Sequence, residues 1–113
     1  MTELTIELIE RTLEWKHENW PRFCCDVSAG ILVNHLIEGT LMRGLYAGNI
    51  HRSSEFSSAT NPFEHCWIEL EDGRVLDPTR WTITCEEPYV YIDNNNIDYI
   101  DGIQWPEASI WVK

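Results

Sequence analysis

The stretch 63–78 constrains the fold more than any other part of the chain. Phe63–Leu70 sets Cys66, Ile68 and Leu70 in alternation against His65, Trp67 and Glu69, the period-two pattern of a strand with two different faces. Glu71-Asp72-Gly73-Arg74 follows, and an Asp-Gly pair supplies the positive φ that a tight hairpin requires. Val75-Leu76-Asp77 then reads as the return strand, ended by Pro78, which has no N–H for the ladder. A hairpin of this kind needs neighbouring strands and a packed face, so an antiparallel sheet is the core of the expected fold.

The rest of the chain fits around that sheet. Residues 2–18 lack Gly and Pro, open on Thr2 as a cap, and carry Ile6, Ile9 and Leu13 at helical spacing. Asn19 to Phe23, with Pro21, breaks the pattern. A second helix is predicted from Cys25 to Glu38, closed by Gly39. Met42, Leu45, Tyr46 and Ile50, interrupted by Gly44 and Gly48, predict a strand with bulges. The Ser-rich run 51–62 reads as a surface loop. Trp81–Thr84, Tyr89–Ile92 and Ser109–Val112 are further strand candidates, and Asp93 to Asn96 a turn. No repeat or linker divides residues 1–113, so the expectation is a single α+β domain, with N-terminal helices packed on an antiparallel sheet.

Charge excludes one class of partner. The chain carries 8 basic and 19 acidic residues, a net −11, and the imbalance is concentrated in residues 61–113. Binding to phosphate backbones needs clustered Lys and Arg, so nucleic acid is not an expected ligand. No apolar run approaches the ~20 residues of a membrane-spanning helix, so no membrane partner is expected either. No basic, apolar leader opens the sequence, which predicts a cytoplasmic address and reduced thiols at Cys24, Cys25, Cys66 and Cys85. Their spacing lacks a C-x₂-C pair, so neither a metal nor any other cofactor is called for.

Three elements carry the chemistry. Cys24 and Cys25 open the second predicted helix, where unpaired backbone N–H groups favour a thiolate. His65 sits in the strand, and Asp77 lies across the hairpin from it. An imidazole can take the thiol proton, and a carboxylate on its other nitrogen fixes its tautomer and orientation. Each residue alone is commonly structural: a buried cysteine packs as a small apolar group, and an Asp before Pro can simply start a turn. The combination in one chain is what points to a site. Ala29, Leu32 and Leu36 follow Cys25 at helical offsets as one apolar face, whereas Cys24 is followed by Ser28, Ile31 and His35. That contrast favours Cys25 as nucleophile, with Cys24 the alternative.

With these pieces in order, residues 19–81 resemble the transglutaminase-like branch of the papain-like cysteine protease superfamily. The resemblance rests on the helix-opening cysteine, His65-Cys66-Trp67-Ile68-Glu69, Asp72-Gly73 and Leu76-Asp77-Pro78-Thr79. It implies a papain/transglutaminase-like fold and a Cys-His-Asp triad of Cys25 (or Cys24), His65 and Asp77. The activity implied is amide hydrolysis or acyl transfer on a peptide, protein or small amide or acyl substrate, as in a peptidase, deamidase, transglutaminase or acyltransferase. Asn19, six residues before Cys25, occupies the offset of the oxyanion-hole Gln of papain-like enzymes; the distance from Cys24 to Gly39 fits transglutaminase-like spacing. The same scaffold without activity, as an acidic interaction or inhibitor protein, is the alternative.

Overall fold

Five antiparallel strands form one sheet in this computed structural model: β1 (Gly39–Tyr46), β2 (Phe63–Leu70), β3 (Val75–Asp77), β4 (Tyr91–Asp93) and β5 (Tyr99–Gln104). Helices α1 (Cys24–Val33) and α2 (Trp81–Thr84) lie among the described residues with them. The structure describes residues 6, 7, 11, 24–33, 37–94 and 97–104, without the side chains at 24–26 and 33. The strand order is β4-β3-β2-β1-β5, which puts β2 at the centre. The α+β expectation therefore holds, and the hairpin forms where the Asp-Gly pair predicts it. Leu70 N–H donates to the Arg74 carbonyl at 2.8 Å and Gly73 N–H to the Leu70 carbonyl at 2.9 Å. Gly73 sits at φ +85°, a conformation that strains any residue with a Cβ.

Alternation along β2 divides the core in two. Ile68 and Leu70 join Leu76 and Val90 on one face, and Val27 and Ile31 of α1 cover them; Ile6, Leu32, Ile37, Tyr89 and Ile92 pack at the margin. Trp67 on the other face packs with Tyr46, Val75, Ile83 and Tyr99, bordered by Ile50, Phe56, Phe63 and Tyr91. Burying side chains such as Ile68, Leu76 and Ile83 stabilises the fold by about 1.5–3 kcal/mol each. Cys66 shares the α1 face by alternation, and His65 shares the Trp67 face.

Several elements depart from the sequence expectation. Gly39 does not close a helix; it starts β1 opposite Leu70. A Cβ there would meet Ile68 Cγ2 at 2.7 Å and the Glu69 carbonyl oxygen at 2.9 Å, so close strand packing requires the glycine. Trp81–Thr84 forms a helical turn rather than a strand. The Asp77 carboxylate accepts the Thr79 N–H and turns the chain after Pro78. The Thr82 and Thr84 hydroxyls then donate back to the Thr79 and Arg80 carbonyls, at 2.6 and 3.4 Å. β-branched residues therefore support a turn here by local bonding. β5 escaped the period-two reading because Asp101, at φ +54°, and Gly102 interrupt it, and its pairing with β1 shifts register between Arg43 and Leu45. Residues 109–112 and most of 2–18 lie outside the described residues; Ile6, Glu7 and Arg11, within them, are helical as expected.

The loop 51–62 is tied down. His51 N–H donates to the Ile83 carbonyl at 2.9 Å, and the buried Ser54 hydroxyl donates to the Thr82 carbonyl at 2.7 Å. Phe56 stacks on Phe63 with ring centroids 5.3 Å apart.

Candidate active site

Asp77 is the centre of the arrangement. Ile68 pairs with Leu76 between β2 and β3, so continuing the register places Asp77 opposite Trp67 and diagonal to His65. His65 Nε2 and Asp77 Oδ2 lie 2.7 Å apart, with both side chains almost fully buried. The Tyr99 hydroxyl donates to the same oxygen at 2.9 Å. Thr79 donates its N–H at 3.0 Å and its hydroxyl at 3.1 Å to Oδ1. Four donors thus fill the roughly four lone-pair positions of one carboxylate. Burial alone would raise the Asp77 pKa, but the His65 charge and the bonds from His65, Thr79 and Tyr99 outweigh it and hold the group below its ordinary value. Asp77 is therefore ionised and can only accept, so His65 Nε2 carries the hydrogen of their bond.

Behind Asp77 stands a second layer of polar groups. Arg80 donates to the Tyr99 hydroxyl at 3.2 Å and to Asp98 at 3.0 Å, and its guanidinium lies 4.1 Å from the Tyr91 ring centroid. Burial opposes the charge of Arg80, but bonding to Tyr99 and Asp98 and the surrounding phenols keep its pKa above the ordinary value. Burial, reinforced by the Asp77 charge, raises the Tyr99 pKa far enough to keep the phenol neutral. Tyr46, fully enclosed, donates to the Asn49 carbonyl at 2.8 Å, and burial pushes its pKa up to about 12.

Aromatic rings hold the imidazole in place. The His65 ring centroid is 5.7 Å from Tyr46, 6.3 Å from Phe63, 6.4 Å from Trp67 and 6.4 Å from Tyr99. Trp67 packs beside His65, and it lies against Gly44 and Gly102: a Cβ on either would come within 2.8 Å of its ring.

The predicted cysteine side of the site is reached only by its backbone. α1 begins at Cys24, so both cysteines of the doublet occupy its first turn as expected. Their side chains, and Asn19, lie outside the described residues. Val27 and Ile31, three and seven positions after Cys24, join the sheet's core cluster, and Leu32, seven after Cys25, packs against it. Of the stripe that follows Cys25, Ala29 is fully buried and Leu32 packs against the core cluster, whereas Leu36 lies outside the described residues, so the choice between Cys25 and Cys24 stays open. The reduced-thiol expectation fails at Cys66, which is disulfide-bonded, whereas Cys85 is an exposed free thiol. Among the described residues no group of three or more metal-ligating side chains converges. No helix among them is long and apolar enough to cross a membrane.

His65 and Asp77 are legible in the sequence; Thr79, Arg80 and Tyr99 as their partners are not. Thr79 and Arg80 follow directly on the Asp-Pro pair, where an Asx-type turn could have been foreseen. Tyr99 has no sequence signal, because Asp101 and Gly102 interrupt the alternation of the strand that carries it. Comparison of the chain with protein-family models, with curated proteins and with solved structures finds no match.

Proposed function

We propose that the protein is a thiol enzyme acting on an amide or acyl substrate, with His65 as general base, Asp77 as its orienting carboxylate and a cysteine of the 24–25 doublet as nucleophile. The reading draws its fold family from the transglutaminase-like motif residues. The observation that carries it is the buried His65–Asp77 pair at 2.7 Å, in which an ionised carboxylate commits Nε2–H and leaves proton transfer to Nδ1. In this reaction His65 takes the thiol proton and the thiolate adds to the acyl carbon. The imidazolium then returns the proton to the departing amine or alcohol, and water or an acceptor amine releases the acyl group from sulfur.

A second reading, an inactive acidic interaction protein on the same scaffold, is favoured by a different observation. α1 contacts the sheet through the face of Ile68 and Leu70, whereas His65 lies on the opposite face and is only 4% exposed.

Alkylation by iodoacetamide at about pH 6 separates the two, because an ordinary thiol is almost wholly protonated there. Cys85 is exposed, so the assay uses a Cys85→Ser background, with and without prior reduction by a phosphine. The enzyme reading expects Cys24 or Cys25 to react well ahead of a simple thiol, and the advantage to vanish in His65→Ala. Slow alkylation of both, unchanged by His65→Ala, supports the interaction protein.

A further inference from the structure

We propose that Tyr99 is a positioning residue for His65: its phenol, aimed by Arg80, shares Oδ2 of Asp77 with the imidazole and so sets the strength and direction of the His65–Asp77 bond. The inference deepens the reading of His65 as a base and rests on it for its catalytic meaning, though not for its geometry.

The geometry is a directional chain. Arg80 donates to the Tyr99 oxygen at 3.2 Å, which leaves the phenolic hydrogen to be donated onward to Asp77 at 2.9 Å. Arg80 is itself fixed by Asp98 and by the Tyr91 ring. The Tyr99 ring stands edge-on to Trp67 at 5.1 Å and to Tyr46 at 5.7 Å, so the phenol has little freedom to turn elsewhere. Oδ1 of Asp77 is meanwhile occupied twice by Thr79. The carboxylate can therefore neither rotate nor favour His65 alone, and the share taken by Tyr99 is subtracted from what His65 receives.

The described titratable groups facing the imidazole are Asp77 from β3, Tyr46 from β1 and Tyr99 from β5, with Arg80 and Asp98 behind Tyr99. Removing the Tyr99 donor concentrates the carboxylate charge on His65 Nε2–H. A better donor at the same position does the opposite. Opposite signs from two near-isosteric changes are what a packing role cannot produce.

Nuclear magnetic resonance of His65 tests this through the Nε2–H proton shift and the imidazole titration midpoint, assigned against a His65→Gln spectrum. In Tyr99→Phe the proton should move downfield and the midpoint rise by about half a pH unit. With 3-fluorotyrosine at position 99, a stronger donor of nearly the same shape, both should move the other way. Should Tyr99→Phe fail to fold, the fluorotyrosine protein carries the test alone. Unmoved values, or shifts of one sign in both proteins, overturn the inference. These shifts without an activated cysteine retain Tyr99 as positioner and end the catalytic reading; an activated cysteine with unmoved shifts does the reverse.

Discussion

His65 and Cys66 are neighbours in β2, yet they belong to opposite faces of the sheet: His65 among the aromatic rings, Cys66 on the side covered by α1. One strand thus holds the buried imidazole–carboxylate pair and a disulfide sulfur without the two sharing a surface. Peptide mapping of the unreduced protein should find Cys66 in a disulfide and Cys85 alkylated by a thiol reagent. A Cys66–Cys85 bridge would contradict the structure.

The Asp77→Asn substitution should reduce both activity and stability. An amide puts NH₂ where two donors already converge and leaves buried polar groups imperfectly paired, a change that costs about 1–3 kcal/mol. Chemical denaturation should show a cooperative but less stable protein, and alkylation of the doublet at about pH 6 should fall by orders of magnitude. A variant as stable as the parent would show that the carboxylate network is not a source of stability.

Stability should depend on pH from both sides. The lowered Asp77 pKa makes its contribution complete above the unfolded value of about 4 and lost as pH falls through the folded value. The Tyr46 pKa, raised to about 12, works in the other direction: its contribution is complete below the unfolded value of about 10 and is lost as pH rises toward the folded one. Denaturation midpoints should therefore fall at both extremes. In Tyr46→Phe the part of the alkaline fall due to this residue should disappear.

The loop 51–62 should behave as part of the fold. Phe56→Ala removes the ring stacked on Phe63, with an expected cost of roughly 1–3 kcal/mol given its partial burial. Replacing Ser53–Ala59 by a Gly-Ser link also removes the Ser54–Thr82 bond and should lower the melting temperature. Unchanged thermal stability in both would return the loop to the role of a plain connector.

How much of this was legible in the sequence depends on whether each signal was local. The β2–β3 hairpin, and with it the approach of His65 to Asp77, follows from alternation and one Asp-Gly turn. Gly44 was readable as an irregularity in β1, and the β1–β5 register does shift there. Tyr99 was not readable, because the Asp101-Gly102 interruption hides the strand that carries it. The α2 turn is not legible, because Trp81–Thr84 has the composition of a strand, and only hydrogen bonds around Thr79 and Arg80 turn it into a helix. The face of α1 is not separable by composition either: Ala29 and Leu32 are as apolar as Val27 and Ile31, and members of both stripes are packed into the protein.

The central claim, that His65 and Asp77 serve a cysteine nucleophile, is tested most directly by a crystal structure of the phosphine-reduced protein at high resolution. The quantity to read is the distance from the Cys24 and Cys25 sulfurs to His65 Nδ1. The account predicts one of them within about 3–5 Å, allowing for loose geometry without substrate. Both sulfurs beyond about 8 Å, out of hydrogen-bond reach, would contradict it and leave His65 and Asp77 as structural elements of the sheet.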